Sequence, residues 1–118
     1  MDQPIFWYSR TIFTVSNLKE AIDFYTQKLN FEEQWCQGDT IAQVNRNGLE
    51  IILHCHDKTP IGGGKILIVL NLDLLNELHD EIKENGTECS FTSVPWYALI
   101  VKDIDSNELW FQDTTSLA

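Results

Sequence analysis

The sequence lacks any long apolar run and has few basic residues. No hydrophobic stretch approaches the roughly 20 residues of a membrane-spanning helix, so no membrane partner is expected. Lysine and arginine total 8 against 18 acidic residues, which gives a formal charge of −10. Because such a surface repels phosphate backbones, nucleic-acid binding is also disfavoured. The charge itself is compatible with plain solubility or with attraction of cationic ligands.

Cysteine is scarce as well. Cys36, Cys55 and Cys89 are odd in number, and no two have the Cys-x-x-Cys spacing of a zinc or redox pair. We interpret them as reduced, small hydrophobic residues of a cytosolic protein. The N-terminal residues lack the basic and apolar regions of a secretory signal peptide, so a cytoplasmic location is expected.

What is present is one structural plan that occurs twice. At 118 residues the chain is long enough for one domain but not for two independent cores. The first copy covers about residues 5–58, a glycine-rich linker covers 59–64, and the second copy covers about 65–113. The sequence therefore predicts a single α+β domain of two βαβββ modules.

Capping and turn residues define the first copy. A strand over Ser9–Val15 leads to Asn17, a preferred N-cap residue with Glu20 at the capping-box position. The helix is predicted to end at Leu29-Asn30. Three strands follow over residues 31–36, 40–45 and 49–56, and the dipeptide Asn47-Gly48 predicts a tight hairpin between the last two.

The second copy repeats this order more loosely. A strand over 65–70 is followed by a helix over Leu74–Glu84, capped by Asn71 or Asp73, with Gly86 in the left-handed position after its end. Strands are predicted over 88–92, 96–102 and 108–112. The buried stripe of the helix is predicted to consist of Leu74, Leu75, Leu78 and Ile82.

Two segments carry a family resemblance. VSNLKEAIDFYTQKLNF and VPWYALIVKDIDSNELWFQD are similar to two motifs of the vicinal oxygen chelate superfamily, which includes glyoxalase I, bleomycin-resistance proteins and extradiol dioxygenases. Asn30, Tyr97, Ile104 and Ser106 depart from the usual glycine or proline. The resemblance implies that each module curls into a half-open sheet, and that two modules, of one chain or of two, enclose a cleft.

The same resemblance decides what to expect of a metal. Metal-dependent members hold their ion with two histidines and one or two glutamates on four strands. Carried over residue by residue, those positions fall on Arg10, on Ile52 or Glu50, on Lys65 and on Trp110. Protonated arginine and lysine cannot ligate a divalent cation, and isoleucine and tryptophan offer no usable lone pair. We therefore expect no metal, no cofactor and no catalytic residue there.

His54 and His56 provide a competing metal hypothesis, because alternate residues of a strand share a face. Two histidines need a further ligand, and Glu50 lies about 13 Å from His54 along an extended strand. We interpret both histidines as facing ligand or solvent. His79 is interpreted as a surface residue of the second helix.

Aromatic residues are plentiful, with four tryptophans, six phenylalanines and three tyrosines. Aromatic faces bind planar or cationic molecules at about 0.5–2 kcal/mol per contact. Arg10 and Lys65 would favour an anionic group unless they pair with Glu50. The predicted ligand-binding residues are Arg10, Trp35, Glu50, Ile52, His54, Lys65, Trp96 and Trp110.

Three functional hypotheses follow. The first is a metal-independent protein that sequesters a planar or aromatic small molecule, as in bleomycin-type antibiotic resistance, and acts as a homodimer because sheet edges and an apolar cup need cover. The second is a metal-dependent lyase, isomerase or dioxygenase with an unorthodox site built from Glu50, His54 and His56. The third is an accessory or sensor domain that acts through protein contacts.

Overall fold

The computed structural model describes residues 3, 5–58 and 60–114, in two four-stranded mixed sheets and two helices. The first sheet has the order β1-β4-β3-β2 and the second the order β5-β8-β7-β6, with β1/β4 and β5/β8 parallel and the other pairs antiparallel. The predicted α+β class with two similar βαβββ modules is confirmed. The elements are β1 (Thr11–Thr14), α1 (Leu18–Asp23), β2 (Glu32–Gln37), β3 (Ile41–Arg46), β4 (Leu49–His54), β5 (Lys65–Leu70), α2 (Leu72–Glu84), β6 (Cys89–Thr92), β7 (Ala98–Lys102) and β8 (Glu108–Asp113).

The module boundaries stay a prediction. Of the proposed linker over 59–64, Thr59 lies outside the described residues, and the remainder runs from Pro60 to Gly64 without helix or strand. The amide nitrogen of Gly62 donates to the carbonyl oxygen of Thr14 at 3.2 Å, so this segment is tied to the end of β1.

Local chemistry explains the first module. The Asn17 side chain accepts from the Glu20 amide at 2.9 Å, which confirms the predicted N-cap. A π-helical turn, Phe24–Lys28, continues α1. Asn30 adopts the left-handed conformation (φ 57°) that glycine would otherwise supply after a helix. In the hairpin, Asn47 and Gly48 both have positive φ, as a two-residue turn between twisted strands requires.

Several predicted boundaries are wrong by two residues. β1 begins at Thr11 rather than Ser9, and β4 ends at His54 rather than His56. β7 begins at Ala98 rather than Trp96. Pro95 immediately precedes that region and has no N–H to donate to a ladder, which shortens the strand.

The predicted buried stripe of α2 is correct except at Leu74. Asn71 caps the helix by accepting from the Leu74 amide at 2.9 Å, so α2 begins at Leu72, two residues earlier than predicted. Leu75 and Ile82 are fully buried, whereas Leu74 is 49 % exposed. Leu74 lies about 100° around the helix from Leu75, and this turns it away from the core.

Each sheet has one covered and one open face. Helix α1 packs on β3 and β4, and α2 packs on β8 and β6. The covered faces meet in one hydrophobic core that includes Phe13 and Leu53 from the first module and Leu99 from the second. The open faces leave Ile12 63 % and Leu67 45 % exposed. The open faces are therefore where a ligand or a second subunit could bind.

Polar contacts join the modules on the covered side. The Tyr25 hydroxyl donates to Asp103 Oδ2 at 2.9 Å, and burial, reinforced by the Asp103 charge, raises the pKa of Tyr25 well above its usual value. Arg46 donates to both carboxylate oxygens of Glu81 at 2.7 and 2.9 Å, and these hydrogen bonds lower the pKa of Glu81. The Asn107 side chain donates to the Thr14 carbonyl at 3.1 Å.

Within the described part of the chain, neither helix has the length and apolar character needed to cross a membrane.

Candidate functional site

The open face of the first sheet carries one group of predicted site residues. Strand register places Ile12 beside Ile52, Ile52 beside Gln43, and Gln43 beside Trp35, so these four side chains form a row across the sheet. Glu50 and His54 lie two residues to either side of Ile52 on the same face of β4. We call this surface the first wall, and its residues are Arg10, Ile12, Trp35, Gln43, Glu50, Ile52 and His54.

A buried glutamine organises the first wall. The Gln43 side-chain oxygen accepts from Arg10 at 3.1 Å and from the Trp35 indole nitrogen at 3.2 Å. Its amide nitrogen donates to Glu50 Oε2 at 2.8 Å. These three bonds fix the orientation of the amide and fix Trp35 and Glu50 relative to each other. Arg10 is thus linked to Glu50 through Gln43, and Ile52, the neighbour of Gln43 on β4, is buried.

The open face of the second sheet carries the other group. Register places Leu67 beside Trp110 and Trp110 beside Ile100, and a parallel row consists of Lys65, Glu108 and Lys102. Trp96 lies in the loop before β7 and is 45 % exposed. We call this surface the second wall, and its residues are Lys65, Leu67, Trp96, Ile100, Lys102, Glu108 and Trp110.

Glu108 organises the second wall. Its Oε1 accepts from the Trp110 indole nitrogen at 2.7 Å and lies 4.0 Å from the Lys65 ammonium. Its Oε2 lies 4.0 Å from Lys102. The Lys65 ammonium also lies over the Trp110 ring, 5.6 Å from its centre. Of the alternatives left open for Lys65, pairing with Glu50 is not the one found, because the adjacent strand β8 supplies the carboxylate of Glu108.

A cavity of about 340 Å³ opens on the second wall. This is the lower end of the volumes found for small-molecule pockets. Its walls are mainly apolar and aromatic, with a single charged side chain at the edge. The lining residues are Lys65, Ile66, Leu67, Pro95, Trp96 and Trp110.

The four positions implied for a metal do not fit one. Arg10 donates to Gln43, Lys65 lies over Trp110, and Trp110 donates to Glu108. The fourth position falls on Ile52, which is only 6 % exposed and has no donor atom, or on Glu50, which accepts from Gln43 at 2.8 Å and would be a single carboxylate ligand. Arg10, Lys65 and Trp110 are cations or N–H donors, the reverse of what a divalent ion requires, and one carboxylate from Glu50 is far short of the three or four ligands of a tight site.

The histidine hypothesis does not gain a third ligand. The His54 and His56 rings stack with their centres 5.9 Å apart, and His56 lies beyond the end of β4. Among residues 3, 5–58 and 60–114, no three histidine, cysteine, aspartate or glutamate side chains form a group that could hold a metal.

The structure thus divides the predicted site residues between two sheets. Arg10, Trp35, Glu50, Ile52 and His54 share the first wall. The three others, Lys65, Trp96 and Trp110, share the second wall. Each polar network is contained within its own sheet.

Sequence reasoning missed three organising residues, Gln43, Glu108 and Lys102. A signal existed for Glu108, because it lies two residues from Trp110 and so shares its face of β8. Gln43 was recognisable as a polar residue between the apolar Ala42 and Val44, but its partners lie on neighbouring strands.

Solved structures share this fold. A bleomycin-binding protein from Streptomyces verticillus, complexed with copper(II)-bleomycin, has a TM-score of 0.73 at 15 % identity, covering 94 % of this chain and 98 % of that one. A lactoylglutathione lyase from Agrobacterium tumefaciens has 0.75 at 11 % identity, covering 98 % and 99 %. TnmS3, an antibiotic-binding protein from a Streptomyces species, has 0.67 at 19 % identity, covering 91 % and 96 %. At these identities the likeness shows the fold alone.

Comparison with curated protein sequences gave no match. The profile of the Glyoxalase/Bleomycin resistance protein/Dioxygenase superfamily matches residues 7–111, nearly the whole chain. That match includes the first of the two segments that carry the resemblance and all of the second except Gln112 and Asp113, which are also the last two residues of β8. The chain belongs to the Glyoxalase/Bleomycin resistance protein/Dioxygenase superfamily.

Proposed function

We propose that this protein binds a small planar or aromatic molecule without a metal ion and sequesters it rather than transforming it. The observation that carries the proposal is the occupation of the four metal positions by Arg10, Lys65, Trp110 and Ile52, with Glu50 as the alternative to Ile52. Three of these side chains are engaged in hydrogen bonding or cation–π contact, and the fourth is apolar.

The aromatic groups on the open faces support binding of a planar molecule. Trp96 and Trp110 line the cavity of the second wall, and Trp35 is held by Gln43 on the first. Indole rings that are fixed by hydrogen bonds present a rigid flat surface, so little side-chain entropy is lost when a ring stacks on them. Binding of this kind needs no nucleophile and no general base.

Two structural relatives make antibiotic sequestration a concrete form of the proposal. One is a bleomycin-binding protein and the other an antibiotic-binding protein. By analogy, the ligand of this chain would be an antibiotic or another toxic aromatic compound. We place the protein in the cytoplasm, where its three free cysteines would stay reduced.

We further propose a homodimer in which the wall of one copy faces a wall of the other. The open faces and the N-terminal segment expose more large apolar side chains than a monomer needs to expose. The strands β1 and β5 also end their sheets, which leaves an edge of each to be covered. Among the described residues, the most exposed large apolar side chains are Ile5 at 87 %, Phe6 at 87 %, Trp7 at 82 %, Val94 at 74 % and Tyr8 at 68 %.

The test is calorimetric titration of the protein, in buffer with EDTA, against metal-free bleomycin and three planar probes: proflavine, anthraquinone sulfonate and hydroxymethylanthraquinone. The proposal predicts saturable binding of at least one of them with EDTA present. Sedimentation at several concentrations should show a dimer. Silence across all four compounds would contradict the proposal and favour a domain that acts through protein contacts.

A further inference from the structure

We infer that the second wall selects planar aromatic molecules that carry an anionic group, such as a carboxylate or sulfonate, and that Lys65 and Lys102 determine this specificity. The inference rests on the proposed function, since it specifies the ligand class of the same open face. It is opposite to what the overall charge of the chain suggests.

The charged side chains of the second wall are mainly basic. The described residues of β5 to β8 that point to the open face include two lysines and one glutamate, and Glu108 lies between Lys65 and Lys102 in one row. These three side chains together carry one positive charge in excess. This is a cationic surface on a chain whose formal charge is −10.

The two lysines of the second wall are accessible to solvent, whereas its glutamate is mostly buried. The Glu108 side chain is 18 % exposed. Its carboxylate accepts a hydrogen bond from the Trp110 indole and lies near the ammonium groups of Lys65 and Lys102. Lys65 and Lys102 are 65 % and 64 % exposed. A ligand arriving from solvent therefore meets the two ammonium groups, while the carboxylate is already surrounded by donors. Each ammonium group has three N–H donors, and a single carboxylate oxygen 4.0 Å away cannot satisfy all of them. Donors therefore stay available for a ligand.

The face of the Trp110 ring is already covered by a cation. The Lys65 ammonium lies 5.6 Å from the centre of that ring, where a planar cation would otherwise be attracted. A cationic ligand would have to displace Lys65 and would be repelled by it. The anionic substituent of a ligand would instead approach Lys65, while the aromatic ring of that ligand packs in the adjoining cavity against Leu67, Pro95 and Trp96.

The lysines of the second wall affect a bound ligand more than the net negative charge of the whole chain does. Electrostatic interactions between exposed groups are screened beyond about 10 Å at 0.1 M salt. Acidic residues farther than this from the cavity therefore contribute little to the electrostatic field at the ligand. Local lysines therefore decide the charge that the ligand should carry.

The experiment compares three planar probes by calorimetry: anthraquinone sulfonate, neutral hydroxymethylanthraquinone and cationic proflavine. Wild-type protein should bind the sulfonate most tightly. Lys65→Gln should weaken sulfonate binding about two- to fivefold and affect binding of the neutral probe much less, since an ion pair at a largely exposed site has about that effect. Lys102→Gln should act in the same direction, and added salt should weaken sulfonate binding alone.

Lys58→Gln is the matched control, because it removes one exposed positive charge from the loop after β4. Equal loss of sulfonate affinity in Lys58→Gln and Lys65→Gln would overturn the inference, as would equal or tighter wild-type binding of the neutral or cationic ring. Either result leaves the proposed binding function standing. Failure of every probe, metal-free bleomycin included, would overturn both.

Discussion

The hydroxyl of Tyr25 provides a sharp test of how the two modules are held together. Tyr25→Phe removes the hydrogen bond to Asp103 Oδ2 and keeps the ring in a position that is fully buried. Asp103 would retain the donors from the backbones of Asp105 and Asn107 and from the Asn107 side chain. The carboxylate therefore stays paired, and the variant should fold.

The magnitude follows from the charge of the acceptor. A hydrogen bond to a charged group contributes about 1.5–3 kcal/mol, so Tyr25→Phe should lower the free energy of unfolding by about 2 kcal/mol. For a domain of this size that corresponds to a melting temperature lower by about 6–12 °C. Urea unfolding followed by tryptophan fluorescence measures the first quantity, and calorimetry the second. Tyr8→Phe is the control, because Tyr8 is 68 % exposed.

The pH dependence adds a second readout with a definite sign. The pKa of Tyr25 is raised in the folded protein, so its stabilisation is complete below about pH 10, the unfolded value, and is lost as the pH rises above it. The gap between wild type and Tyr25→Phe should therefore narrow by up to about 1.4 kcal/mol per pH unit above that value. Equal stability of the two proteins at neutral pH, or a gap that does not change between about pH 9 and 11, would refute the reasoning.

Three further predictions follow from single contacts. Glu81→Gln should cost about 1–2 kcal/mol at neutral pH in urea unfolding, and the loss should vanish at low pH, because a lowered pKa stabilises the fold only above the unfolded value. Gly62→Ala should lower the free energy of unfolding by at least about 2 kcal/mol, because a φ of +78° is strained for alanine and the new Cβ would overlap a backbone oxygen of the β7–β8 turn. Gly63→Ala is the control: Gly63 has the same φ, but a Cβ there would contact no other atom, so the loss should be smaller. Trp110→Ala should weaken probe binding about tenfold or more in calorimetry, while His79→Ala should leave it nearly unchanged; equal effects would contradict the cavity assignment.

The fold was predictable where one residue determines the local geometry. Asn17 caps α1, Asn47-Gly48 makes the hairpin and Gly86 follows α2 with positive φ, each as its side chain or its lack of one requires. The orientation of Leu74 was not predictable in the same way. It depends on whether Asn71 or Asp73 caps α2, and both residues are suitable caps.

The arrangement of the walls was only partly accessible from the sequence. Period-two alternation places Glu50, Ile52 and His54 on one face without further information. The role of Gln43 depends on strand register, which brings Trp35 from β2 and Arg10 from beside β1 to the same amide. Register is set by pairing across strands far apart in the chain, so a local pattern does not contain it.

The most direct test of the central claim is the metal content of the protein together with its effect on binding. Protein purified without chelator is analysed for divalent ions, and probe binding is measured by calorimetry in EDTA and again after zinc, nickel or manganese is added. Because Arg10, Ile52, Lys65 and Trp110 offer no metal ligands, and Glu50 alone would supply only one, the account predicts far less than one ion per chain and the same affinity in all conditions. A stoichiometric ion, with binding or turnover that EDTA abolishes and added metal restores, would contradict it.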